Sequence, residues 1–295
     1  MQPSFVLTID VEDYFQVAAF ERQCAPKHWS NYPSRVSANT ERILDLLDRH
    51  GTRATFFILG WVAEHHPDLV RRIHARGHDI ASHGYNHQRL NHLSREQFRD
   101  DITRAKAMLE DLTAASVIGY RAPSFSFDEA KPWIQDELLD AGYRYSSSLN
   151  PVPHDLYGYR HAPRTPFRWS NGLLEIPVAT CEWINRRIPC AGGGYFRLYP
   201  YRLTRTLLNR AAAQLKGPVT FYLHPWEVDP EQPRIQGASA KSRFRHYVNL
   251  SRTYDRLDRL LADYNWCTMQ EAFSQTSPLD AVIPWIPPAT PRRAC

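Results

Sequence analysis

The sequence predicts an α/β domain in which a parallel sheet is wrapped by helices, and three observations support this. Short apolar runs of strand length alternate with stretches of helical periodicity. The chain has 295 residues, enough for one large barrel-type domain with a sizeable core. Hydrophobic residues make up 43% and charged residues 23%, a balance that excludes wholesale disorder.

The first half of the chain alternates regularly between the two kinds of element. Helical spacing of apolar residues precedes Gly51 and Gly77, which are typical helix ends, and Ser94 with Gln97 is typical of a helix start. The predicted strands are 4–9, 54–59, 78–82 and 117–120, and the predicted helices are 35–50, 67–76 and 94–112.

The alternation breaks after a helix at 134–141 and a strand at 143–147. Residues 150–199 are rich in proline, glycine and aromatic residues, which predicts an inserted loop and hairpin region. Regular elements then return as a helix at 203–214, a strand at 219–223, a loop at 229–240 and a helix at 247–261. We therefore expect one domain over 1–275, followed by an extended Pro-rich tail at 276–295.

Charge and composition limit the partners that we expect. The net charge of +5 comes mainly from scattered arginines without a long basic block, so nucleic-acid binding is not supported. An anionic glycan or a membrane surface remains compatible with that charge. No apolar stretch approaches the roughly 20 residues of a membrane helix. The N-terminus carries no recognisable leader, so the expected location is cytoplasmic; the sequence leaves the oligomeric state open.

Polar residues follow four of the predicted strands. Asp10 follows the first strand, His83 the third, Arg121 the fourth and His224 the last. The carboxyl ends of parallel strands open on one face of a barrel, so residues distant in sequence converge there. We therefore expect these four segments to share one pocket.

His83 and His87 are candidate metal ligands. A helical turn beginning near Gly84 would place both imidazoles on one side, and two histidines with a carboxylate are typical of catalytic zinc sites. The pattern is weak alone, because His65 and His66 look similar and are expected at the surface. The carboxylate ligand is left open between two residues of the segment that follows the first strand.

These two alternatives are Glu12 and Asp13. Side-chain alternation along a strand places Glu12 on the same side as Asp10, whereas a chain that turns at once favours Asp13. A solvated acidic junction is the simpler interpretation. Arg121 argues against it, because an arginine after a neighbouring strand can pair with Asp10 and keep it ionised.

His224 ends an apolar run, where a core histidine bonded to backbone is the usual outcome. At the open face of a barrel it can instead donate a proton to a leaving amine. Nearby aromatic residues are candidate platforms for sugar rings, although most aromatics at such density belong to a core. These candidates are Trp183, Tyr195, Phe196 and Trp226.

Four segments in this order resemble the NodB-like polysaccharide deacetylases, carbohydrate esterase family 4. They are T-I-D-V-E-D from Thr8, S-H-G-Y-N-H from Ser82, R-A-P-S-F from Arg121 and L-H-P-W-E from Leu223. The chain is most similar to the subgroup associated with exopolysaccharide loci of bacteria with exosortase-type sorting. That similarity rests on D-V-E-D-Y-F, G-G-G-Y-F-R-L and F-R-H-Y.

The resemblance implies an irregular (β/α)7-type barrel and a role for each matching residue. Asp10 would be the general base and Arg121 its tether, His83 and His87 would bind zinc or another divalent metal, and His224 would be the general acid. The backbone N–H of Ser124 would hold the oxyanion, Tyr222 would line the acetyl pocket, and Trp226 is a further candidate substrate contact.

The function implied is metal-dependent removal of N-acetyl groups from the amino sugars of a polysaccharide, with an N-acetylated glycan as partner. The chain departs from the family at the aspartate and tryptophan that tune the acidic histidine, since residues 146–150 read S-S-S-L-N. Glu227 is the candidate substitute. Two alternatives are an amidase acting on a small cyclic or linear amide, and a catalytically silent glycan-binding protein.

Overall fold

The computed structural model describes residues 5–128, 130–152, 159, 161–215 and 217–274. Its strands are β1 Phe5–Val11, β2 Thr55–Ile58, β3 Asp79–Ser82, β4 Gly119–Tyr120, β5 Tyr145–Ser146, β6 Phe167–Arg168, β7 Leu174–Glu175, β8 Thr180–Trp183, β9 Arg186–Pro189, β10 Val219–Leu223 and β11 Trp266–Cys267. Its α-helices are α1 Val36–Arg49, α2 Gly60–His65, α3 Pro67–Ala75, α4 Arg95–Thr113, α5 Trp133–Asp140, α6 Gly193–Leu198, α7 Tyr201–Gln214, α8 Ala240–Tyr247, α9 Thr253–Asp263 and α10 Met269–Ser274.

The main sheet is parallel over most of its width, in the order β10-β1-β2-β3-β4-β5-β7-β6, with β11 beside the start of β1. Only the β6–β7 pair in it is antiparallel. The segment that follows β7 lies between β5 and β10, because Ile176 N donates to Ser146 O on β5 at 2.8 Å and Ala179 N donates to Thr220 O on β10 at 3.1 Å. Seven strands therefore form an irregular barrel, and this confirms the predicted fold class.

The side-chain alternation of β1 shows how the fold positions its polar residues. All seven residues of β1 are buried. Leu7 and Ile9 belong to the large core beneath the helices, whereas Val6 belongs to a small cluster with Phe57. The inward face of the strand therefore continues from Val6 through Thr8 to Asp10, so Asp10 emerges at the carboxyl end of the barrel.

The predicted element types mostly match, but no helix was expected at α2, α6, α8 or α10. The helix predicted at 247–261 begins only at Thr253, because Asn249 has a left-handed φ of 53°. The expected insertion contains the antiparallel hairpin β8–β9. The tail at 276–295 lies outside the described residues. None of the described helices is long and apolar enough to cross a membrane.

Candidate metal and catalytic site

The four predicted segments meet at a cavity of about 370 Å³. Its lining includes Asp10, Glu12, His83 and His224, which come from β1, β3 and β10 or from the residues just after them. Arg121, which follows β4, lies fully buried behind Asp10. The site thus forms at the carboxyl ends of the strands.

Glu12, His83 and His87 form a group that could hold a metal ion, with their ligand atoms all within 4.8 Å of one another. The His87 Nε2 atom lies 2.7 Å from Glu12 Oε2, a buried oxygen without a hydrogen bond among the described residues. His83 Nδ1 donates to the carbonyl of Arg121 at 2.9 Å, which leaves its Nε2 as the ligand atom. Two imidazoles and one carboxylate match the donor set of catalytic zinc sites.

The protonation of these groups also suits a cation. Burial lowers the pKa of His83 to about 4, so its imidazole is neutral at pH 7. Burial by itself raises the pKa of Glu12, but His87 and His224 outweigh burial and hold the pKa well below its usual range. The group therefore presents one negative charge and at least one neutral imidazole.

The expected helical turn at Gly84 is wrong. Gly84 and His87 have positive φ angles of 74° and 52°, so a loop brings the two imidazoles together. The carboxylate of Asp101 on α4 accepts hydrogen bonds from Tyr85 N at 2.8 Å and Asn86 N at 3.2 Å. A Cβ on Gly84 would lie 2.7 Å from that carboxylate. The two histidines of the H-x-x-x-H segment therefore meet through a loop and not through helical periodicity. Asp101 was not among the predicted site residues.

Asp13 does not join the metal group, which corrects its place among the candidate ligands. Its Oδ2 atom accepts hydrogen bonds from Ser34 Oγ at 2.8 Å, Arg35 N at 2.8 Å and Val36 N at 3.1 Å. Tyr14 N donates to its other oxygen at 2.9 Å. The carboxylate therefore satisfies backbone donors at the start of α1, where negative charge is favourable.

Arg121 holds Asp10 in place from behind. Its Nη1 atom lies 2.5 Å from Asp10 Oδ1 and also donates to Thr8 Oγ1 at 2.8 Å. Its Nε and Nη2 atoms donate to the carbonyl and hydroxyl of Ser147 at 3.1 and 2.9 Å, and its guanidinium lies 4.1 Å from the ring centre of Phe57. The second oxygen of Asp10 lies 3.9 Å from His224 Nε2 on the cavity side.

His224 is oriented by the buried pair of Glu227 and Arg197, of which only Glu227 was predicted from the sequence. Its Nδ1 donates to Glu227 Oε1 at 2.7 Å, and Arg197 Nε donates to Glu227 Oε2 at 2.6 Å. Glu227 is thus the carboxylate behind His224. Arg197 was missed, because nothing in its local sequence connects α6 with a residue 30 positions away.

Two carboxylates determine the protonation of His224. Burial lowers the pKa of His224, but the charge of Glu12 and the hydrogen bond and charge of Glu227 outweigh burial and raise the pKa to about 9. The imidazole therefore carries its proton at neutral pH, with Nε2 exposed to the cavity. Nε2 lies 3.7 Å from Glu12 Oε1, so a proton donor stands beside the metal group.

Trp226 lines the cavity, but other rings cover both faces of its indole, which leaves no face for a sugar ring. One face of its indole packs against His224 at 5.2 Å between ring centres, and the other against His246 at 4.1 Å. Its Nε1 donates to Glu12 Oε1 at 3.2 Å. Phe196 belongs to the buried core, and Trp183 is partly buried and packs against that core. Tyr195, in contrast, lines the cavity.

Ser124 and Tyr222 both line the cavity as expected. Ser124 has a left-handed φ of 55° in the short turn Pro123–Phe125. The ring of Tyr222 on β10 lies 5.6 Å from that of His224. A Cβ on Gly193 would approach the Tyr222 hydroxyl to 2.4 Å, which explains a glycine in the G-G-G-Y-F-R-L segment.

The fold and the site together define a hydrolase of the α/β barrel type, with a group of three side chains that could hold a metal ion. Residues 27–146 match the family model described as polysaccharide deacetylase, and residues 147–274 match one described as a domain of unknown function, DUF3473. The chain therefore contains a domain of the NodB-like polysaccharide deacetylase family, carbohydrate esterase family 4, followed by a DUF3473 region.

Individual relatives support this assignment. A peptidoglycan-N-acetylglucosamine deacetylase of Bacillus cereus is 40% identical over 86 residues, which is 29% of each chain. A chitooligosaccharide deacetylase of Sinorhizobium fredii is 36% identical over 85 residues, 28% of this chain and 40% of that protein. This chain thus matches well under half the length of either protein.

Solved structures show the same fold. A Mycobacterium smegmatis protein assigned to the polysaccharide deacetylases superimposes with a TM-score of 0.63 at 19% identity, covering 96% of this chain and 92% of that one.

Proposed function

We propose that this protein is a zinc-dependent deacetylase that removes N-acetyl groups from amino sugars of a polysaccharide. One observation carries the proposal: the Asp10–Arg121 pair and the His224–Glu227 pair flank the Glu12, His83 and His87 group in one cavity. A base, an acid and a metal site thus stand within reach of one amide. The subgroup motifs and the DUF3473 match favour an exopolysaccharide as the polymer.

Glu12, His83 and His87 would hold the metal. A divalent cation there supplies Lewis acidity, which polarises the acetyl carbonyl and makes a water molecule easier to deprotonate. Glu12 and His83 are buried and His87 is half-buried, which limits competing solvent and strengthens their electrostatic interactions.

Asp10 and His224 carry the two proton transfers. Arg121 binds one oxygen of Asp10 and fixes its orientation, so the other oxygen can accept a proton from the attacking water. The protonated Nε2 of His224 then donates to the amide nitrogen as the C–N bond breaks. Water and amide are consumed, and acetate and a free amino sugar are formed.

Ser124 and Tyr222 would act on the acetyl group itself. Ser124 lines the cavity within the turn Pro123–Phe125, and its backbone N–H would stabilise the developing oxyanion. Tyr222 closes the pocket next to His224 and would limit it to a small acyl group.

The test is acetate release from N-acetylglucosamine oligosaccharides by the zinc-loaded protein. We expect release that is lost after chelation and recovered on adding zinc. Asp10→Asn should keep the fold and the bound zinc while turnover falls by about 10²- to 10⁴-fold, the scale for losing a general base. Release that is unaffected by chelation, or normal turnover in Asp10→Asn, would contradict the proposal.

A further inference from the structure

The outer half of the catalytic cavity is formed by α8 and the end of α6. Lys241 and Arg245 are four residues apart on α8 and therefore share one face of the helix, and both line the cavity. Phe244 and Leu198 line it as well. A glycan whose acetyl group reaches the metal site would therefore contact α8 with its neighbouring sugars.

This outer half is cationic. Residues 232–254 contain five lysines and arginines and no aspartate or glutamate, a surplus equal to the net charge of the whole chain. The carboxylates that line the cavity in the described structure are Asp10 and Glu12, both at the inner end and both already engaged. The potential along α8 therefore attracts anions.

The same surface is also apolar. In the described part of the chain, three large hydrophobic residues are exposed, and two of them line this cavity. Their exposed fractions are 59% for Phe244 and 44% for Leu198. An apolar surface beside polar groups is typical of a ligand-binding site. The C–H face of a pyranose ring can pack on an aromatic ring, while charged substituents at the ring edge reach neighbouring cations.

α8 is also held at a fixed position relative to the proton donor. Arg197, which binds Glu227, donates to the carbonyls of His246 at 2.6 Å and Arg245 at 3.0 Å. The helix that carries Lys241 is therefore anchored to the carboxylate that orients His224. Arg197 thus connects the helix of the cations with the general acid through hydrogen bonds.

We propose that the cavity selects an acidic glycan, in which a sugar bearing a carboxylate or phosphate group neighbours the N-acetylated sugar. Lys241 and Arg245 pair with the anionic group, and Phe244 packs against the sugar ring. This inference rests on the proposed deacetylase function and names the class of its substrate.

The experiment compares kcat/KM for deacetylation of oligosaccharides of equal length. The neutral probe contains N-acetylglucosamine alone. The acidic probes alternate N-acetylglucosamine with glucuronate, or carry a phosphate monoester on one N-acetylglucosamine, and so distinguish the two anionic groups. We expect at least one acidic probe to be preferred by about fivefold or more, the scale of two exposed ion pairs, mainly through a lower KM.

The double variant Lys241→Gln/Arg245→Gln should bring this acidic-to-neutral ratio close to one, whereas Lys241→Arg/Arg245→Lys should retain it. The matched control Arg202→Gln/Arg205→Gln removes the same charge from α7, at exposed residues outside the cavity lining, and should keep the wild-type ratio. A wild-type ratio of one, or an unchanged ratio in the first double variant, would overturn the proposal.

A binding measurement separates this proposal from the deacetylase function. Calorimetry with zinc-loaded Asp10→Asn should show tighter binding of the acidic probe, lost with Lys241→Gln/Arg245→Gln. If that holds and no probe is deacetylated, the function fails and the anionic site stands. If the probes bind equally while Lys241 and Arg245 are needed for sedimentation with phosphatidylglycerol vesicles, α8 is a membrane contact and the acidic-glycan proposal is wrong.

Discussion

Glu227 Oε1 accepts a hydrogen bond from His224 Nδ1 at 2.7 Å, while the opposite oxygen of Glu227 binds the buried Arg197 at 2.6 Å. Burial by itself raises the pKa of Glu227, but Arg197 and His224 outweigh burial and lower the pKa. Glu227 therefore stays ionised although it is fully buried. A carboxylate three residues after the histidine thus orients His224, as expected of the candidate substitute for the aspartate and tryptophan segment.

We predict that Glu227→Gln moves the alkaline limb of the activity profile to lower pH. The protonated imidazole is the active form, so the rate falls as pH rises through the pKa of His224. Glu12 and Glu227 raise that pKa to about 9, and a cation on Glu12 weakens the first contribution. Removing the Glu227 charge should bring the limb closer to about 6.5, the ordinary value for histidine.

The control for this variant is Glu175→Gln. Glu175 is also fully buried and accepts hydrogen bonds from Ser148 N at 2.7 Å and Leu149 N at 3.0 Å, but it does not contact His224. Burial raises the pKa of Glu175, so the two variants each replace a fully buried carboxyl group, but only Glu227 lies beside His224. A shift of equal size in both pH profiles would show that the effect comes from the fold and not from the His224 pair.

We predict opposite phenotypes for the neighbouring carboxylates Glu12 and Asp13. Glu12→Gln should weaken zinc binding at least about tenfold with little loss of stability, because its carboxylate belongs to the metal group. Asp13→Asn should leave zinc affinity nearly unchanged and lower the free energy of unfolding by about 1 to 2 kcal/mol, the scale of a helix-capping contact. Zinc competition titration and urea unfolding measure the two quantities; comparable zinc defects would indicate a shared acidic cluster.

Asp101 should affect zinc binding without contacting the metal. Its carboxylate fixes two backbone N–H groups between His83 and His87. We predict that Asp101→Ala lowers zinc affinity by about 10- to 100-fold, as for other groups that orient ligands, and that Asp101→Asn restores part of it, since an amide oxygen can accept one of these bonds. Equal zinc affinity in wild type and Asp101→Ala would show that the loop is positioned by other contacts.

Strand periodicity explains how much of this site is predictable. Asp10 lies near the end of β1, Arg121 and His224 follow β4 and β10, and parallel strands carry such residues to one end of a barrel. The choice between Glu12 and Asp13 depends on how the chain turns after Val11, which a periodic pattern does not specify. Arg197 and Asp101 act through tertiary contacts 30 and 16 residues away in sequence, so no local signal marks them.

The role of His224 gives the sharpest distinction, because a general acid matters only when the leaving group needs a proton. We predict that His224→Ala lowers amide deacetylation by about 10²- to 10⁴-fold and largely spares an activated aryl acetate ester, whose phenolate departs unassisted. Zinc content should be unchanged, since His224 is not among the three candidate ligands. The alkaline limb should also disappear from the ester reaction of the variant.

Circular dichroism checks that losing the contact with Trp226 leaves the fold intact. Equal losses of amide and ester activity would mean that His224 acts on binding or structure and not on the departing amine.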